Sequence, residues 1–391
     1  MARRADFPPL ARYVWFQNGG VSLVPRPVHE AHIALVEASF LRGPLHIVEP
    51  EEEFARRDRS RARIAAFLGA GTDEIAIVRG VSEAFQHVLR GMDWSIGDEL
   101  VITDDEDAAL FVPALQLAAE HGVVVRRLAL RPAGRDRLVA ATAALLGQRT
   151  RLVAVSQVTT DWGVRLPVRE ICALAQSRGV PTFVDLAHSA GTLPVDLHEM
   201  GCAYAGAVSY KWMLGPYAAG ALFVRRDRLA GLPVVYAGGR AQAHLDYATP
   251  VMELYDDARR FEYGPMSWPL IHAWAAALEY LDELGVQAIA DHAATLTDAL
   301  KAGLMEIDGV TLHSPRDSMD SGPLVAFGLE GWPGAALEQA LRQRFAIVVR
   351  ALANVRDGVR ASVAFFTLES EVDALVDAVR TLARERAEGP A

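Results

Sequence analysis

The run TFVDLAH (residues 182–188) decides the fold of this chain, because an apolar strand there delivers Asp185 and then His188 to its carboxyl end. A second apolar run, YAGAVSYKW (residues 204–212), carries Lys211 among apolar and aromatic neighbours. In a parallel sheet the carboxyl ends of the strands meet at one edge, where ligands bind. The three side chains are therefore predicted to lie together. Taken alone, an aspartate after a strand is more often a helix N-cap.

Outward from these runs, strands and helices alternate along the chain. Strand patterns occur at 74–78, 99–103, 123–128, 151–155, 181–184, 204–208 and 221–224, and helical patterns include 27–47, 50–68, 82–89 and 168–177. Such alternation is typical of an α/β domain around a mostly parallel sheet. A long apolar helix over 269–285 then precedes a helix at 289–304, strands at 324–329, 346–350 and 358–366, and helices at 334–344 and 369–384. This order predicts a large domain over 26–268 and a smaller C-terminal α/β domain over 269–391.

The composition favours a soluble globular protein of two domains. The chain has 391 residues, 51% of them apolar and 23% charged, and its net charge is -10. A single core rarely grows to this size, and a diffuse acidic surface argues against nucleic acid or an anionic membrane as partner. No apolar run reaches the roughly 20 residues needed to span a bilayer, and no secretory signal is visible. Cys172 and Cys202 have no neighbours at metal-ligand spacing, so we expect no metal and a cytoplasmic location.

Lysine is almost absent from the chain. Of 39 basic residues only Lys211 and Lys301 are lysine. Lys301 lies in a helical pattern over 295–305 and is predicted to be solvated. Desolvation around Lys211 lowers the pKa of an amine and leaves it nucleophilic, a role that arginine cannot take because it stays protonated. Composition alone leaves a lysine that snorkels from the edge of a core as an equal alternative.

The segment from Val184 to Arg226, VDLAHSAGTLPVDLHEMGCAYAGAVSYKWMLGPYAAGALFVRR, resembles the signature of class V, fold-type I enzymes that depend on pyridoxal 5'-phosphate (PLP). That family pairs Asp-x-x-His with a lysine on the next strand, followed by Trp-x-x-Gly-Pro and a glycine-rich return. The resemblance implies an α/β fold with a mostly parallel seven-stranded sheet sandwiched by helices, plus the smaller C-terminal domain. It also implies an N-terminal arm over the active site, residues 1–25, and a homodimer with the active site at the subunit interface.

The same resemblance implies roles for individual residues. Lys211 forms the Schiff base with PLP and later moves protons, and Asp185 keeps the pyridine nitrogen protonated. His188 approaches the ring's 3-oxygen or lines the ring edge. The implied cofactor contacts also include Val81 and Ser82 in a phosphate loop at a helix start, Tyr210 beside the phosphate, Gln157 at the 3-oxygen, and Ser267 near the partner's phosphate site.

The implied substrate contacts are Arg360 and Asn18. Arg360 resembles the late arginine of the family, which holds the substrate α-carboxylate, a task that suits a bidentate guanidinium. Asn18 belongs to a loop over the substrate. Selectivity is expected to come from this loop, from the partner subunit and from Trp162, Tyr217 and Arg356.

Two departures from the family pattern bear on the reaction. The stretch 105–111 lacks the histidine that often stacks on the ring, so Phe111 or a neighbouring apolar side chain is the expected substitute. Cysteine desulfurases of the family carry a catalytic cysteine before the late arginine, whereas 351–359 contains none and both cysteines are predicted to lie in the core. The sequence therefore argues against a cysteine desulfurase.

The Ser-Tyr-Lys-Trp and Asp-x-x-His forms of the signature resemble the branch with isopenicillin-N-epimerase-like enzymes, C–S lyases and kynureninase. The predicted function is lyase-type cleavage at Cα or Cβ of an amino acid, including the C–S bond of a cysteine conjugate, through an external aldimine and a quinonoid. Transamination and epimerisation are the alternatives, and a PLP-fold binding or scaffold protein is the non-enzyme alternative. An NAD-dependent oxidoreductase is disfavoured because no G-x-G-x-x-G follows an early strand.

Overall fold

The computed structural model describes residues 3–131, 134–353 and 357–387, with side chains as far as residue 385. Arg356 therefore lies outside the described residues. The helices are α1 (Arg26–Arg42), α2 (Leu45–Val48), α3 (Pro50–Phe67), α4 (Val81–Gly91), α5 (Ala108–His121), α6 (Arg135–Leu145), α7 (Val168–Ser177), α8 (Leu197–Met200), α9 (Trp268–Leu284), α10 (Val286–Met305), α11 (Gly334–Phe345) and α12 (Glu369–Ala387). The strands are β1 (Val14–Trp15), β2 (Ile75–Val78), β3 (Glu99–Thr103), β4 (Val124–Leu128), β5 (Thr150–Ser156), β6 (Thr182–Asp185), β7 (Tyr204–Val208), β8 (Gly220–Val224), β9 (Gln242–Asp246), β10 (Val251–Leu254), β11 (Val310–Leu312), β12 (Leu324–Leu329), β13 (Ile347–Val348), β14 (Arg350–Ala351) and β15 (Val359–Ser362).

A seven-stranded sheet in the order β2-β8-β7-β6-β5-β3-β4 forms the centre of the molecule. Its strands are parallel except at β8, which is antiparallel to both of its neighbours. The mostly parallel seven-stranded sheet is therefore confirmed. Ser156 pairs with Asp185, and Asp185 pairs with Gly206, so β5, β6 and β7 end at the same edge of the sheet.

Both faces of this sheet are buried. Successive side chains of a strand point to opposite faces, and here each set joins an apolar core. On β5, Val153 and Val155 join one apolar core, whereas Leu152 and Ala154 join a second core. A strand buried on both faces is an almost continuous apolar run, and this is the pattern by which the sequence revealed β5, β6 and β7.

A smaller antiparallel sheet, in the order β11-β12-β15-β14, lies in the C-terminal part of the chain. It packs with α10, α11 and α12 around a third apolar core. The N-terminal segment joins this part, since β1 pairs with β13 and Gln17 bridges to Ser362 on β15. The domain boundary before residue 269 stays a proposal, and α9 begins there. Among the described residues, no helix combines the length and apolar content needed to cross a bilayer.

Several elements differ from the sequence prediction. The helix predicted over 27–47 breaks at Gly43 and Pro44, and the strand predicted over 346–350 is divided into β13 and β14. Helix α6 and the hairpin of β9 and β10 were not predicted. The hairpin is exposed along most of its length, so its sequence lacks the apolar run that marks a buried strand.

The prediction of a solvated Lys301 is wrong. Its side chain is buried, with 1% of the residue exposed, and Nζ donates a hydrogen bond of 2.6 Å to Ser321 Oγ. Asp298 Oδ1 lies 3.9 Å away. Burial lowers the pKa of Lys301. The residue sits on the inner face of α10, and the serine hydroxyl supplies the hydrogen bond that a buried amine requires.

Candidate active site

A cavity of about 560 Å³ opens at the edge of the large sheet where β6 and β7 end. Asp185 and Lys211 line it from these two strands, and the start of α4 closes another side. Its lining residues are Arg79, Gly80, Val81, Ser82, Glu83, Gln86, Asp107, Ala109, Asp185, Ala187, Val208, Tyr210, Lys211, Tyr236 and Tyr263. The volume is typical of a cofactor or small-molecule site.

Lys211 and His188 lie in contact beside this cavity. Lys211 Nζ is 3.3 Å from His188 Nε2, and both residues are almost fully buried. Burial lowers the pKa of Lys211, although the charges of Asp107 and Asp185 oppose this effect. Burial, followed by the charges of Lys211 and Arg360, places the pKa of His188 well below its ordinary value. The imidazole is therefore neutral at physiological pH and is available to exchange protons with the amine.

Asp185 is a buried carboxylate at the end of β6. Its Oδ1 accepts a 2.7 Å hydrogen bond from the Ala187 N–H, which fixes the side chain toward the cavity. Burial raises the pKa of Asp185 to about 7, while the Lys211 charge lowers it in part. A buried carboxylate is stable as an anion only beside a cation. The position therefore suits a protonated ring nitrogen.

The first turn of α4 lines another side of the cavity. No side chain caps this helix, so its first N–H groups, including those of Val81 and Ser82, face the cavity. Gly80 at the N-cap has φ 156°, and its Cα lies so near Gly220 that a side chain on Gly220 would collide with it. Free N–H groups and the helix dipole favour a phosphate here.

Arg360 lies on β15 of the small sheet and is linked to His188 through Thr160. Its guanidinium is buried, and Nη1 donates to the carbonyl oxygen of Thr160. Burial and the charge of Arg350 lower the pKa of Arg360 to about 10, which leaves it charged at neutral pH. The buried Asn18 belongs to the N-terminal segment, in which the Gly19 N–H donates to Ser362 Oγ over 3.0 Å. The two implied substrate contacts are thus brought to the same strand.

The remaining predicted contacts lie in different places. Tyr210 lines the cavity and stacks on Tyr217, with ring centroids 4.5 Å apart. Gln157 is buried directly after β5. Ser267 is exposed before α9 and does not line the cavity, so a role at the phosphate requires the partner subunit. Trp162 is buried in the core beneath Arg131.

Of the two alternatives for the ring face, Phe111 does not line the cavity, whereas Ala109, a neighbouring apolar residue, does. Phe111 packs at the edge of an apolar core and beneath Arg127, whereas Asp107 and Ala109 line the cavity. Asp107 is the N-cap of α5 and accepts a hydrogen bond from the Ala109 N–H. The first turn of α5 therefore faces the site, and Phe111 lies beyond it.

Thr160 and Asp105 are site residues that sequence reasoning missed. Thr160 Oγ1 lies 3.2 Å from His188 Nε2 and 3.5 Å from Asp107 Oδ2, and the Thr160 carbonyl binds Arg360. Asp105 holds this turn by accepting hydrogen bonds from the N–H groups of Asp161 and Trp162. No periodicity marks either residue, because each acts through contacts distant in sequence. Through Thr160 this turn therefore contacts both Arg360 and His188.

Glu106 is a second buried carboxyl group near Asp185. It accepts hydrogen bonds from Thr103 Oγ1, Ser156 N–H and Ser156 Oγ. Burial raises the pKa of Glu106 from 4.5 to about 8. Since the folded state then binds this proton more tightly than the unfolded state, the stability contributed by Glu106 is full below pH 4.5 and is lost as the pH rises through about 8.

Glu106→Gln is expected to become more stable relative to wild type as the pH rises from 5 to about 8, because the amide cannot ionise. Melting temperatures of both proteins measured at pH 5, 7 and 8.5 check this. Glu170→Gln, at a partly exposed surface carboxylate, is the control and should show no such trend. A constant difference between Glu106→Gln and wild type at all three pH values contradicts the assignment.

Buried polar atoms around the site match the chemical groups of PLP and of an amino acid. His188 Nδ1, Gln157 Oε1, Asn18 Oδ1 and two nitrogens of Arg360, Nε and Nη2, have no hydrogen-bond partner among the described residues. Unpaired buried polar atoms are costly and rare. With the amine of Lys211, the carboxylate of Asp185 and the N-terminus of α4, they offer complementary groups for an aldehyde, a pyridine ring, a phosphate and a carboxylate. The residues therefore fit PLP.

Comparison with known proteins gives a consistent picture. The family model described as Aminotransferase class-V matches residues 14–375. A probable cysteine desulfurase 2 from Mycobacterium leprae (strain TN) is 30% identical, covering 97% of this chain and 95% of its own. Isopenicillin N epimerase from Streptomyces clavuligerus is 30% identical over 84% of each chain. The structure of the cystine C–S lyase C-DES with its product cysteine persulfide has a TM-score of 0.89 and 27% identity, covering 96% of this chain and 99% of that chain.

The sequence argument against a cysteine desulfurase is contradicted by these relatives. It gave a cysteine-free stretch, 351–359, more weight than a resemblance to a probable cysteine desulfurase that covers 97% of the chain. Cys172 and Cys202 are buried, as predicted, and burial raises the pKa of Cys172 to about 11. The cysteine-free stretch is one local feature, whereas the similarity to these relatives extends over nearly the whole chain.

The family match extends well beyond the signature around Lys211. It spans both sheets, from β1 to the middle of α12. A lysine-to-alanine mutant of C-DES, with glycine covalently linked to its PLP cofactor, has a TM-score of 0.90 and 26% identity to this chain, covering 97% and 99% of the two chains. The chain belongs to the aminotransferase class-V family, enzymes that act on amino acids with pyridoxal 5'-phosphate as cofactor.

Proposed function

We propose that this enzyme cleaves the Cβ–S bond of a sulfur-containing amino acid. The observation that carries the proposal is the contact between the buried amine of Lys211 and the neutral imidazole of His188, with Arg360 held beside them by Thr160. The C–S lyase and desulfurase relatives support it, because they share this chain's architecture from end to end.

In this proposal the residues divide the chemistry among them. Arg360 holds the α-carboxylate, and its unpaired Nε and Nη2 supply the donors. Bound PLP supplies an electron sink for the charge that develops at Cα. Lys211 accepts the Cα proton, since its lowered pKa leaves a larger fraction of neutral amine than an exposed lysine has. The protonated Lys211 then passes this proton to His188 Nε2, 3.3 Å away, and the resulting imidazolium protonates the sulfur as the Cβ–S bond breaks and its electron pair leaves with sulfur.

Product analysis tests the proposed function. The purified PLP-loaded enzyme is incubated with L-cysteine, L-cystine and S-substituted cysteines, and sulfide or persulfide, pyruvate, ammonia and alanine are quantified. We expect release of sulfur with either pyruvate and ammonia or alanine, and no product from L-serine at the same concentration. Conversion of PLP to pyridoxamine phosphate without sulfur release contradicts C–S cleavage and favours transamination.

Epimerisation at Cα is the second candidate. It is favoured by the 30% identity to isopenicillin N epimerase over 84% of both chains. The same amine would remove the same Cα proton, so the two reactions differ in whether a Cβ bond then breaks. Deuterium incorporation at Cα with inversion and with the side chain intact supports epimerisation.

We further propose that two copies of the chain form a homodimer. One face of α1 carries exposed apolar side chains at helical spacing, Ile33, Val36 and Phe40, of which Phe40 is 85% exposed. An apolar patch of this kind favours a protein interface. Light scattering should give twice the 42.4 kDa chain mass, and Phe40→Glu should lower it. A monomeric wild-type protein at micromolar concentration contradicts this proposal.

A further inference from the structure

Two arginines are direct neighbours on adjacent strands of the small sheet, near the active site. In the antiparallel pair of β14 and β15, Arg350 lies directly opposite Arg360. Residues opposite one another project from the same face of a sheet, with Cβ atoms about 4.5–5.5 Å apart, and like charges in such a pair are destabilising. An arrangement of this kind calls for a counter-ion.

Within the described residues, no carboxylate forms a direct ion pair with either arginine. The side chain of Arg350 is exposed and makes no hydrogen bond or ion pair with any described residue. Arg360 uses Nη1 for the Thr160 carbonyl, and its Nε and Nη2 have no partner there. The charges of Asp161, Asp107 and Asp105 oppose the lowering of the pKa of Arg360, but none of these carboxylates forms an ion pair with Arg350 or Arg360. When Arg360 binds the α-carboxylate, Arg350 therefore still has no anionic partner.

The charge of Arg350 acts within the active site. It contributes to the lowered pKa of Lys211 and of His188, and it is the largest charge effect on the pKa of Arg360. It also helps to lower the pKa of Asp107. Arg350 is exposed whereas Arg360, Lys211 and His188 are buried, so its charge acts on the reacting groups from the solvent side.

We propose that Arg350 determines substrate specificity by binding a second carboxylate, at the distal end of the amino-acid substrate. This proposal rests on the proposed function, since it places the α-carboxylate on Arg360. The substrate class is then an S-substituted cysteine whose substituent ends in a carboxylate. Two guanidiniums on one face of the sheet suit a dicarboxylate, because each can bind one carboxylate in a bidentate manner.

A binding measurement tests this without turnover. Calorimetric titration of the holoenzyme with glutarate and with butyrate compares a dicarboxylate with a monocarboxylate of similar length. We expect glutarate to bind at least tenfold more tightly, and Arg350→Gln to bind the two about equally. Arg137→Gln, at an exposed arginine of α6, is the matched control and should keep the preference. Equal binding by wild type, or a preference that survives in Arg350→Gln, overturns the proposal.

Turnover provides an independent second readout. S-(2-carboxyethyl)-cysteine and S-propylcysteine differ in the charge of the distal group. We expect kcat/KM for the charged substrate to exceed that for the neutral one at least tenfold in wild type, and Arg350→Gln to lose this ratio mainly through KM of the charged substrate. Were no sulfur released from either substrate while the glutarate preference persisted, the proposed reaction would fail and the distal carboxylate site would stand.

Discussion

Replacing Lys211 with alanine is expected to lower kcat/KM on the order of 10⁴-fold or more, the scale seen when a covalent nucleophile is removed. The variant loses the amine that joins the cofactor and the base that removes the Cα proton. In the wild-type protein the Lys211 side chain is buried and its Nζ lies 3.3 Å from His188 Nε2. No other described amine occupies this position, so none can replace it. The purified variant should also lose the visible absorbance band of the lysine-bound cofactor.

Borohydride reduction followed by peptide mass analysis checks this result directly. The chain has only two lysines, so a reduced adduct is assigned between Lys211 and Lys301 without ambiguity. Wild type and the control Lys301→Arg should carry the adduct on Lys211, and Lys211→Ala should carry none although Lys301 is present. If Lys211→Ala kept the visible absorbance band and normal turnover, the assignment of Lys211 as the Schiff-base lysine would be contradicted.

Asp185→Asn is expected to lower kcat/KM by about 10²–10³-fold, the scale for loss of one preorganised electrostatic contact. Asparagine keeps the shape and can still accept the 2.7 Å hydrogen bond from the Ala187 N–H, but it cannot hold a proton on a ring nitrogen by its charge. The matched control is Asp196→Asn, a helix-capping aspartate of α8 that accepts from the Glu199 N–H over 2.8 Å. We expect the control to retain full activity.

A stability measurement separates a catalytic from a structural role for Asp185. In the cofactor-free protein, burial raises the pKa of Asp185 from 3.8 to about 7, so the stability it contributes is lost as the pH rises through about 7. Cofactor-free Asp185→Asn should therefore melt at a higher temperature than wild type at pH 8 and at a similar temperature at pH 4. Loss of activity together with a lower melting temperature at pH 8 indicates a structural role instead.

The large sheet could be predicted because its strands carry local signals. Strands β5, β6 and β7 are short apolar runs, each buried on both faces, and β6 and β7 are followed at once by polar residues with chemical function. Parallel strands bring their carboxyl ends to one edge, so Asp185 and Lys211 could be placed together without coordinates. The same signals were absent from the exposed hairpin of β9 and β10, which was missed.

Lys301 shows where local patterns fail. Its helical surroundings contain polar residues, and lysines are almost never fully buried unless paired. The partner that permits burial, Ser321, is 20 positions away and reaches α10 only through the fold. The same holds for Thr160, whose contacts with His188 and Arg360 span 28 and 200 positions.

The sequence by itself determined the α/β class, the seven-stranded sheet, and a carboxylate, a histidine and a lysine at adjoining strand ends, because strand periodicity and the family signature are local properties of the chain. Only the tertiary structure decided that Asp107 rather than Phe111 faces the cavity, that Thr160 joins the histidine to Arg360, and that Arg350 stands opposite Arg360 without an ion pair to any described carboxylate. These depend on helix phase, turn geometry and strand register, which are set by packing between segments far apart in the chain.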